Sequence, residues 1–389
     1  MSNYDVVVVG GGMVGAASAL SLAHLGLKVA VVEKSSQKVF DSTKPYDLRV
    51  SAISTASEHL LQRLGAWRHI ANSRVCQYKR LGVWEEHNSY TEFNAQDIEQ
   101  SHLGHIIEND AVQSGLWSEI EKDKNITCYT STNITGMTYE GDTSMLDTDK
   151  GQLVAKLIVA ADGARSQIRG LAGIGVSGWQ YKQSAMLIHV KTELPQQDIT
   201  WQQFTPTGPV AMLPLSGNEA SLVWYHSKDE ISRLANLSNE QLTTQVMANF
   251  PDKLGKVEVL NKAAFPLARQ HANQYVKGNV VLLGDAAHTI NPLAGQGVNL
   301  GFKDVDALQM VLADAIGEGK SWCCADVLKQ YEHKRRFDNS AMMTAMDAFY
   351  FTFTHPNALV KFARNAGLYL AERAGPLKQK ALQYACGLS

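Results

Sequence analysis

The first thirty-three residues leave this chain few folds to choose from. Tyr4-Asp5-Val6-Val7-Val8-Val9 is β-branched and apolar, as expected for a strand buried on both faces of a parallel sheet. Gly10-Gly11-Gly12-Met13-Val14-Gly15 comes at once, then Ala16–Leu25 with helix formers and an apolar face, closed by Gly26. Lys28–Val32 reads as a second buried strand, ending in Glu33, 18 residues after Gly15. Each glycine has a reason: Gly10 makes the tight turn, Gly12 admits a pyrophosphate to the backbone, and Gly15 lets helix and strand pack closely. Glu33 stands where a carboxylate takes both hydroxyls of an adenosine ribose. An acid there argues against a 2′-phosphate, so the site is expected to hold FAD or NAD and not NADP.

Gly173-Ile174-Gly175-Val176-Ser177-Gly178 spells the same glycine spacing but leads into Trp179-Gln180-Tyr181, not into a helix. It reads as a glycine-rich crossing between domains. The chain therefore offers one dinucleotide fold and no second one for a nicotinamide.

Two later stretches answer the first. Leu153–Ala161 is an apolar strand that ends in Asp162-Gly163-Ala164-Arg165-Ser166-Gln167-Ile168-Arg169. Alone, this is a β-turn before a capped helix; beside the first fingerprint it is a second phosphate or ribose contact. Gly278–Gly301 holds the short strand Val280–Leu283, then Gly284 and Asp285, Pro292, and Gly295-Gln296-Gly297 leading into a helix. A strand that empties through glycines into a helix N-terminus offers free N–H groups to an anion. Asp285 can accept bonds from a polyol.

At 389 residues the chain has room for two domains and a sizeable core. Its net charge of −2 points to no nucleic acid. Five cysteines without a CxxC pair suggest reduced thiols in a cytoplasmic protein. No stretch approaches the ~20 apolar residues of a membrane span, and the N-terminal apolar run reads as a strand, not a signal peptide.

Between the fingerprints, Tyr46–Ser54 reads as a loop entering a helix and carries Arg49, either a diphosphate contact or a surface ion pair. His102–Asn109 reads as a strand. Asp110 is placed to cap the helix Ala111–Lys122, with Gln113 in its first turn. His102-Leu103-Gly104-His105 has metal-like residues with no carboxylate or thiol nearby, and reads as structural. Ser184–Val190, Trp201–Phe204, Val210–Leu215 and Ala220–Tyr225 read as an antiparallel sheet whose aromatics either form its core or wall a pocket for a flat ring. Gln203, Phe204, Trp224 and Tyr225 are its substrate candidates.

The three motifs together resemble the single-component FAD-dependent aromatic hydroxylases, which share the para-hydroxybenzoate-hydroxylase-like fold. Asp47–Ser54 and Ile107-Glu108-Asn109 are more narrowly similar to the ubiquinone-biosynthesis hydroxylases. Trp179-Gln180-Tyr181, Trp201–Pro206 and Ser221–Tyr225 resemble the branch of that family acting on a polyprenyl benzoquinol. The resemblance implies an α/β architecture: a Rossmann-like FAD-binding domain from 1–75, 100–172 and 270–345, a smaller antiparallel-sheet substrate domain from 76–99 and 173–269, and a helical segment over 346–389. It implies ring hydroxylation with NAD(P)H and O2 through a flavin 4a-hydroperoxide. Another ring hydroxylase of the same pathway, a flavin-dependent prenyl reductase or dehydrogenase, and a non-catalytic FAD-binding assembly subunit are the alternatives.

The resemblance also assigns roles. Gly10, Gly12 and Gly15 would hold the FAD pyrophosphate, Glu33 the adenosine ribose, and Arg49 and Gln113 the diphosphate and ribityl side. Asp162-Gly163 would contact FAD and NAD(P)H, and Asp285 the ribityl chain. The amides of Gly297 and Val298 would hold the pyrimidine edge of the flavin, with Gly295, Gln296 and Asn299 also in contact with the cofactor. Pro292 would border the substrate ring; His288 stands by position either as the acceptor that polarises a quinol O–H or as a structural partner of the loop. No arginine or lysine stands in Trp201–Phe204, Val210–Leu215 or Ala220–Tyr225 to hold a carboxylate, which suits a neutral quinol.

The segment from Pro356 to Ser389 reads as helix broken at Gly375-Pro376. Lys361, Arg364, Arg373, Lys378 and Lys380 outnumber Glu372 there. Such a basic amphipathic helix either lies on the inner membrane surface as a peripheral contact or packs on the body, on a second copy of the chain, or in a complex of the pathway.

Overall fold

A computed structural model describes residues 2–37, 39–140, 142–290, 297–355 and 357–388. The β-branched run at the N-terminus forms the strand Ser2–Val9, and it is the middle of a parallel sheet. Val29–Val32 and then Ile126–Tyr129 lie on one side of it; Gly151–Ala160 and then Val280–Leu282 lie on the other. Val6, Val7 and Val8 are fully buried, which is what a strand flanked by helices on both faces requires. The order reverses at Ser2–Val9, so a crevice opens beyond its carboxyl end. An antiparallel hairpin, Ile134–Glu140 with Thr143–Thr148, extends this sheet from Gly151–Ala160.

The second sheet has the order His288–Thr289, Val257–Ala272, Val176–Thr192, Glu219–Ser227, Val210–Leu215, Ile199–Gln203, Arg80–Trp84, Thr91–Asn94. All its pairs are antiparallel except Ile199–Gln203 with Arg80–Trp84. One face carries Met186, Ile188, Trp201, Met212, Leu222 and Trp224 into a core capped by Ile231, Leu234, Leu242 and Val246. These last four come from the helices Lys228–Ala235 and Asn239–Asn249. The other face carries Tyr181, Ala185, Tyr225 and Leu267 against Tyr350. Alternation along a strand sends neighbours to opposite faces, so Trp224 and Tyr225 serve different layers.

Several local expectations change. Tyr46–Ser54 is more than a loop: Val50–Ser54 is a strand, paired with Gly104–Glu108 in a small third sheet that also holds Cys76–Tyr78. The helix after it runs from Asn109 to Ile120 with Glu108 as N-cap, so Asp110 stands in its first turn instead of capping it. The glycine-rich crossing at 173–178 passes directly into the 17-residue strand Val176–Thr192, where a Cβ on Gly178 would lie 2.0 Å from Arg269 O of the neighbouring strand. That glycine serves close strand approach and not a phosphate.

The long helix Ala325–Thr354 runs straight through the boundary expected at position 345. Helices Ala358–Glu372 and Pro376–Cys386 come after it. They are docked on one face: Arg364 ion-pairs with buried Glu85, Thr91 Oγ1 donates to Leu368 O, and Leu382 and Cys386 pack with Tyr46, Tyr78 and Ile106. Among the described residues no helix is long and apolar enough to cross a membrane.

Candidate functional site

Val9, Val32, Ala160 and Leu282 form one row across four adjacent parallel strands. The residues just past these four strand ends therefore gather along one rim: Gly10, Glu33, Ala161-Asp162 and Leu283-Gly284-Asp285. Residues scattered over nearly 300 positions are brought together by strand register alone.

The glycines at the rim have separate jobs. Gly10 sits at φ +102°, and a Cβ there would meet Ala161 O at 2.4 Å. A Cβ on Gly15 would lie 1.9 Å from Gly10 O, so helix Met13–Ala23 approaches the turn as closely as atoms allow. Gly12 is different: a Cβ there meets nothing within 4 Å. The space over Gly12 faces the start of a helix whose N-cap offers no side-chain hydrogen bond, leaving backbone N–H groups for an anion.

Glu33 is oriented by its neighbours. Its Oε2 accepts from Gly11 N at 2.6 Å and its Oε1 from Ser35 N at 2.9 Å. A carboxylate has about four lone-pair sites, so acceptor capacity remains for ribose hydroxyls. Gln113 Nε2 and Trp117 Nε1 both donate to Gly11 O at 2.8 Å, clamping the turn from behind. Arg49 is exposed; its backbone N–H donates to Asp47, and its guanidinium forms no ion pair among the described residues.

Asp162 Oδ2 accepts from Gln167 N and Ile168 N, capping the helix Gln167–Leu171, while its Oδ1 is buried without a partner among the described residues. Arg169 is buried and donates to Ala286 O at 2.8 Å and Ala164 O at 2.9 Å. It thus ties the Asp162 turn to the Asp285 turn. Asp285 itself is exposed, and desolvation by the surrounding protein raises its pKa from its ordinary value. Gly297 is the first residue of the helix Gly297–Gly317, and a Cβ on it would meet nothing within 4 Å among the described residues. Val298 is half-buried beside it. Pro292, Gly295 and Gln296 lie outside the described residues.

Two candidates face inward instead. Asn299 is 1% exposed; its Oδ1 accepts from Ser54 N and Ser57 Oγ, and its Nδ2 donates to Ala52 O. All of its visible capacity goes to fixing the helix start against the strand Val50–Ser54. His288 is also buried. Its Nε2 lies 2.6 Å from Asp304 Oδ2, and Asp304 accepts from Gly284 N at 2.9 Å and from Arg335 Nε at 2.8 Å. Asn339 closes this cluster against Asp304 and Tyr275. The positive neighbours hold the Asp304 carboxyl far below the usual range against the desolvation that opposes them. This network, which positions the Gly284 turn, went unread in the sequence. Its signal was a charged residue on an apolar helical stripe, since Asp304 falls among buried Leu300, Val305, Leu308 and Leu312.

On the antiparallel sheet, Phe204 stacks on Phe353 with centroids 3.8 Å apart, and Tyr225 is buried beside Tyr181 and Tyr350. Gln203 is half-buried, but it stands in register with Val210, Trp84 and Trp224, so alternation sends its side chain to the opposite face from Tyr225. Trp224 packs edge-on against Phe250 in the opposite layer, away from the rim. Arg269 pairs with Asp347 at 2.8 Å and lies over the Trp179 ring. Asp347 also accepts from the Tyr181 hydroxyl. The strand His288–Thr289 pairs with Gln270 and His271, joining the Asp285 turn to this sheet.

The histidine pair needs a correction. Sequence proximity shows no carboxylate near His102 and His105, but the fold brings one. Glu58 Oε2 lies 2.7 Å from His102 Nε2 and 3.2 Å from His105 Nδ1.

Residues 3–345 match the FAD binding domain family. The 3-demethoxyubiquinol 3-hydroxylase of Escherichia coli (strain K12) is 46% identical over 385 residues, covering 99% of this chain and 98% of that protein. The mitochondrial ubiquinone biosynthesis monooxygenase COQ6 of Rattus norvegicus is 33% identical over 440 residues, covering 99% and 91%. Among solved structures, p-nitrophenol 4-monooxygenase PnpA from Pseudomonas putida DLL-E4 superposes with a TM-score of 0.77 at 21% identity, covering 99% of this chain and 97% of that one. That likeness concerns the fold. The space over Gly12, the spare acceptors of Glu33 and the unpartnered Oδ1 of Asp162 fit FAD along the rim. The chain belongs to the FAD binding domain family, among its FAD-dependent monooxygenases of the ubiquinone-biosynthesis group.

Proposed function

We propose that this enzyme hydroxylates the aromatic ring of a polyprenyl benzoquinol of the 2-octaprenyl-3-methyl-6-methoxy-1,4-benzoquinol type, as a step of ubiquinone biosynthesis. The observation that carries the reading is the single rim on which Gly10, Glu33, Asp162 and Asp285 meet, joined by His288–Thr289 to an aromatic sheet face. When bound, FAD supplies reduction by NAD(P)H and the activation of O2. The chain supplies binding and orientation. Gly12 admits the pyrophosphate, Glu33 takes the adenosine ribose, and Asp285 takes the ribityl chain. The helix start at Gly297 favours negative charge on the pyrimidine side. Phe204 and Tyr225 present an apolar wall to the ring. Arg269 on this face is already matched by Asp347, which suits a neutral quinol.

Purified protein supplied with the quinol, NAD(P)H and O2 is expected to give a product heavier by one oxygen, labelled from 18O2. NAD(P)H oxidation that saturates the prenyl chain would instead identify a reductase, and a flavoprotein without turnover would identify a scaffold subunit.

We further propose that the tail rests on the cytoplasmic face of the inner membrane, where such a substrate resides. Three of its cations are matched by carboxylates: Lys361 by Glu86, Arg364 by Glu85 and Lys378 by Glu372. Its apolar side is open: Leu359 is 79%, Phe362 75% and Leu370 64% exposed. Apolar insertion therefore carries more of the contact than charge. Flotation with anionic liposomes should fall for Leu359→Ser/Phe362→Ser, and equal flotation of variant and parent removes the idea.

A further inference from the structure

The helix Thr55–Arg63 and the strand Gly104–Glu108 meet at a cluster that the hydroxylation chemistry does not use. Glu58, His102 and His105 each aim one donor atom at a common point, and the three atoms lie within 4.8 Å of one another. Glu58 and His105 are each 7% exposed. His105 Nδ1 is 3.2 Å from Glu58 Oε2 but lacks hydrogen-bond geometry, so this buried nitrogen has no proper partner among the described residues.

We propose that Glu58, His102 and His105 bind a divalent cation of the zinc class. Two imidazole nitrogens and one carboxylate are a zinc donor set, and a fourth position is left for water. Bond lengths of about 2.0–2.2 Å require the donors to lie within about 4 Å of one another, a shift that side-chain torsions of the half-buried His102 supply. Groups behind the donors are already in place. Gln62 Nε2 donates to Glu58 Oε1 at 2.9 Å, turning Oε2 inward. Ser101 Oγ lies 2.8 Å from His102 Nδ1, which fixes that ring with Nε2 toward the cluster.

The position gives the ion a use. Glu58 lies on the helix whose N-cap, Ser54, and first-turn residue Ser57 bond to Asn299 at the start of the Gly297 helix. His105 lies on the strand that leads into the helix carrying Gln113 and Trp117, which hold Gly11. A cation here staples together two elements that brace opposite ends of the cofactor rim.

The test uses the full-length, FAD-loaded protein. After chelator treatment it is incubated with ZnCl2 and passed through a desalting column, and retained zinc is measured by mass spectrometry. A single zinc ion per chain is expected for the parent, with a rise in unfolding temperature that EDTA reverses. His102→Ala and Glu58→Gln should retain none and show no rise. Because Glu58 is buried, His102→Ala decides the matter if Glu58→Gln does not fold. Zinc retained equally by parent and His102→Ala, or by neither, overturns the site.

Discussion

The rim of the parallel sheet and the inner face of the antiparallel sheet are built by opposite means. At the rim, the features that fit a cofactor are what side chains leave open among the described residues: space over Gly12, the backbone N–H groups at the start of the helix Met13–Ala23, and one unpartnered oxygen on Asp162. The aromatic face of the antiparallel sheet is made instead by side chains from distant segments meeting, Phe204 with Phe353 and Tyr181 with Asp347. The first kind of site is set by local turn chemistry and strand register, so it is written in short contiguous motifs. The second depends on how a helix some 150 residues later in the chain lies across the sheet, so no short motif records it.

A pair of glycine substitutions tests the first half most sharply. Gly15→Ala drives a Cβ to 1.9 Å from Gly10 O, a backbone atom that cannot move without breaking the turn. It should abolish both flavin retention and stable folding. Gly12→Val adds bulk into space empty of protein. It should leave the unfolding midpoint of the flavin-free protein unchanged while the flavin absorbance disappears. Flavin retained by Gly12→Val would mean that this opening does not face the cofactor.

Next in size is Asp304→Ala. It leaves Arg335 and His288 buried and removes the acceptor of Gly284 N. Breaking a buried pair from one side costs about 3–5 kcal/mol. Urea unfolding of the holoprotein should show that loss together with weaker FAD retention, because the Asp285 turn loses its anchor. Phe204→Leu probes the other region. It removes the stack on Phe353 and should cost about 1–2 kcal/mol. Flavin affinity should stay intact while KM for the quinol rises; a change in FAD affinity would erase the division between the two regions.

Much of the cofactor rim was legible because its determinants are short. Gly10–Gly15 with Glu33, Asp162-Gly163 and Gly284-Asp285 are each a strand end with a turn behind it, and apolar runs announce the strands. Strand register then does the assembly that sequence cannot display. The residues that hold the rim were less legible. Asn299 and His288 stand inside motifs, and their inward orientation is set by Ser54, Ser57 and Asp304, which are close only after folding. Val50–Ser54 escapes notice as a strand because five residues carry too little period to separate a short edge from a loop. Trp224 and Tyr225 are adjacent in sequence, yet alternation places one in a sealed core and the other beside the helix Ala325–Thr354.

The smallest expected effect lies on the seam between the two regions. His271 pairs through its backbone with His288 and lies near three cationic or protonatable groups, His288, Arg336 and Arg269. Burial first, and then those neighbours, push its pKa down to about 4. The unfolded imidazole titrates near ~6.5. Between those values the unfolded chain holds a proton that the folded chain refuses, so stability is full above about pH 6.5 and falls as pH drops toward about 4. Partial exposure and solvent screening reduce the effect to about 1 kcal/mol. His271→Gln keeps a polar group beside the Tyr275 hydroxyl but cannot titrate. Unfolding midpoints measured from about pH 7 to about pH 4.5 should fall less steeply for the variant than for the parent. Parallel curves would place the acid sensitivity elsewhere, and would mean that the two sheets meet without a titrating group at their seam.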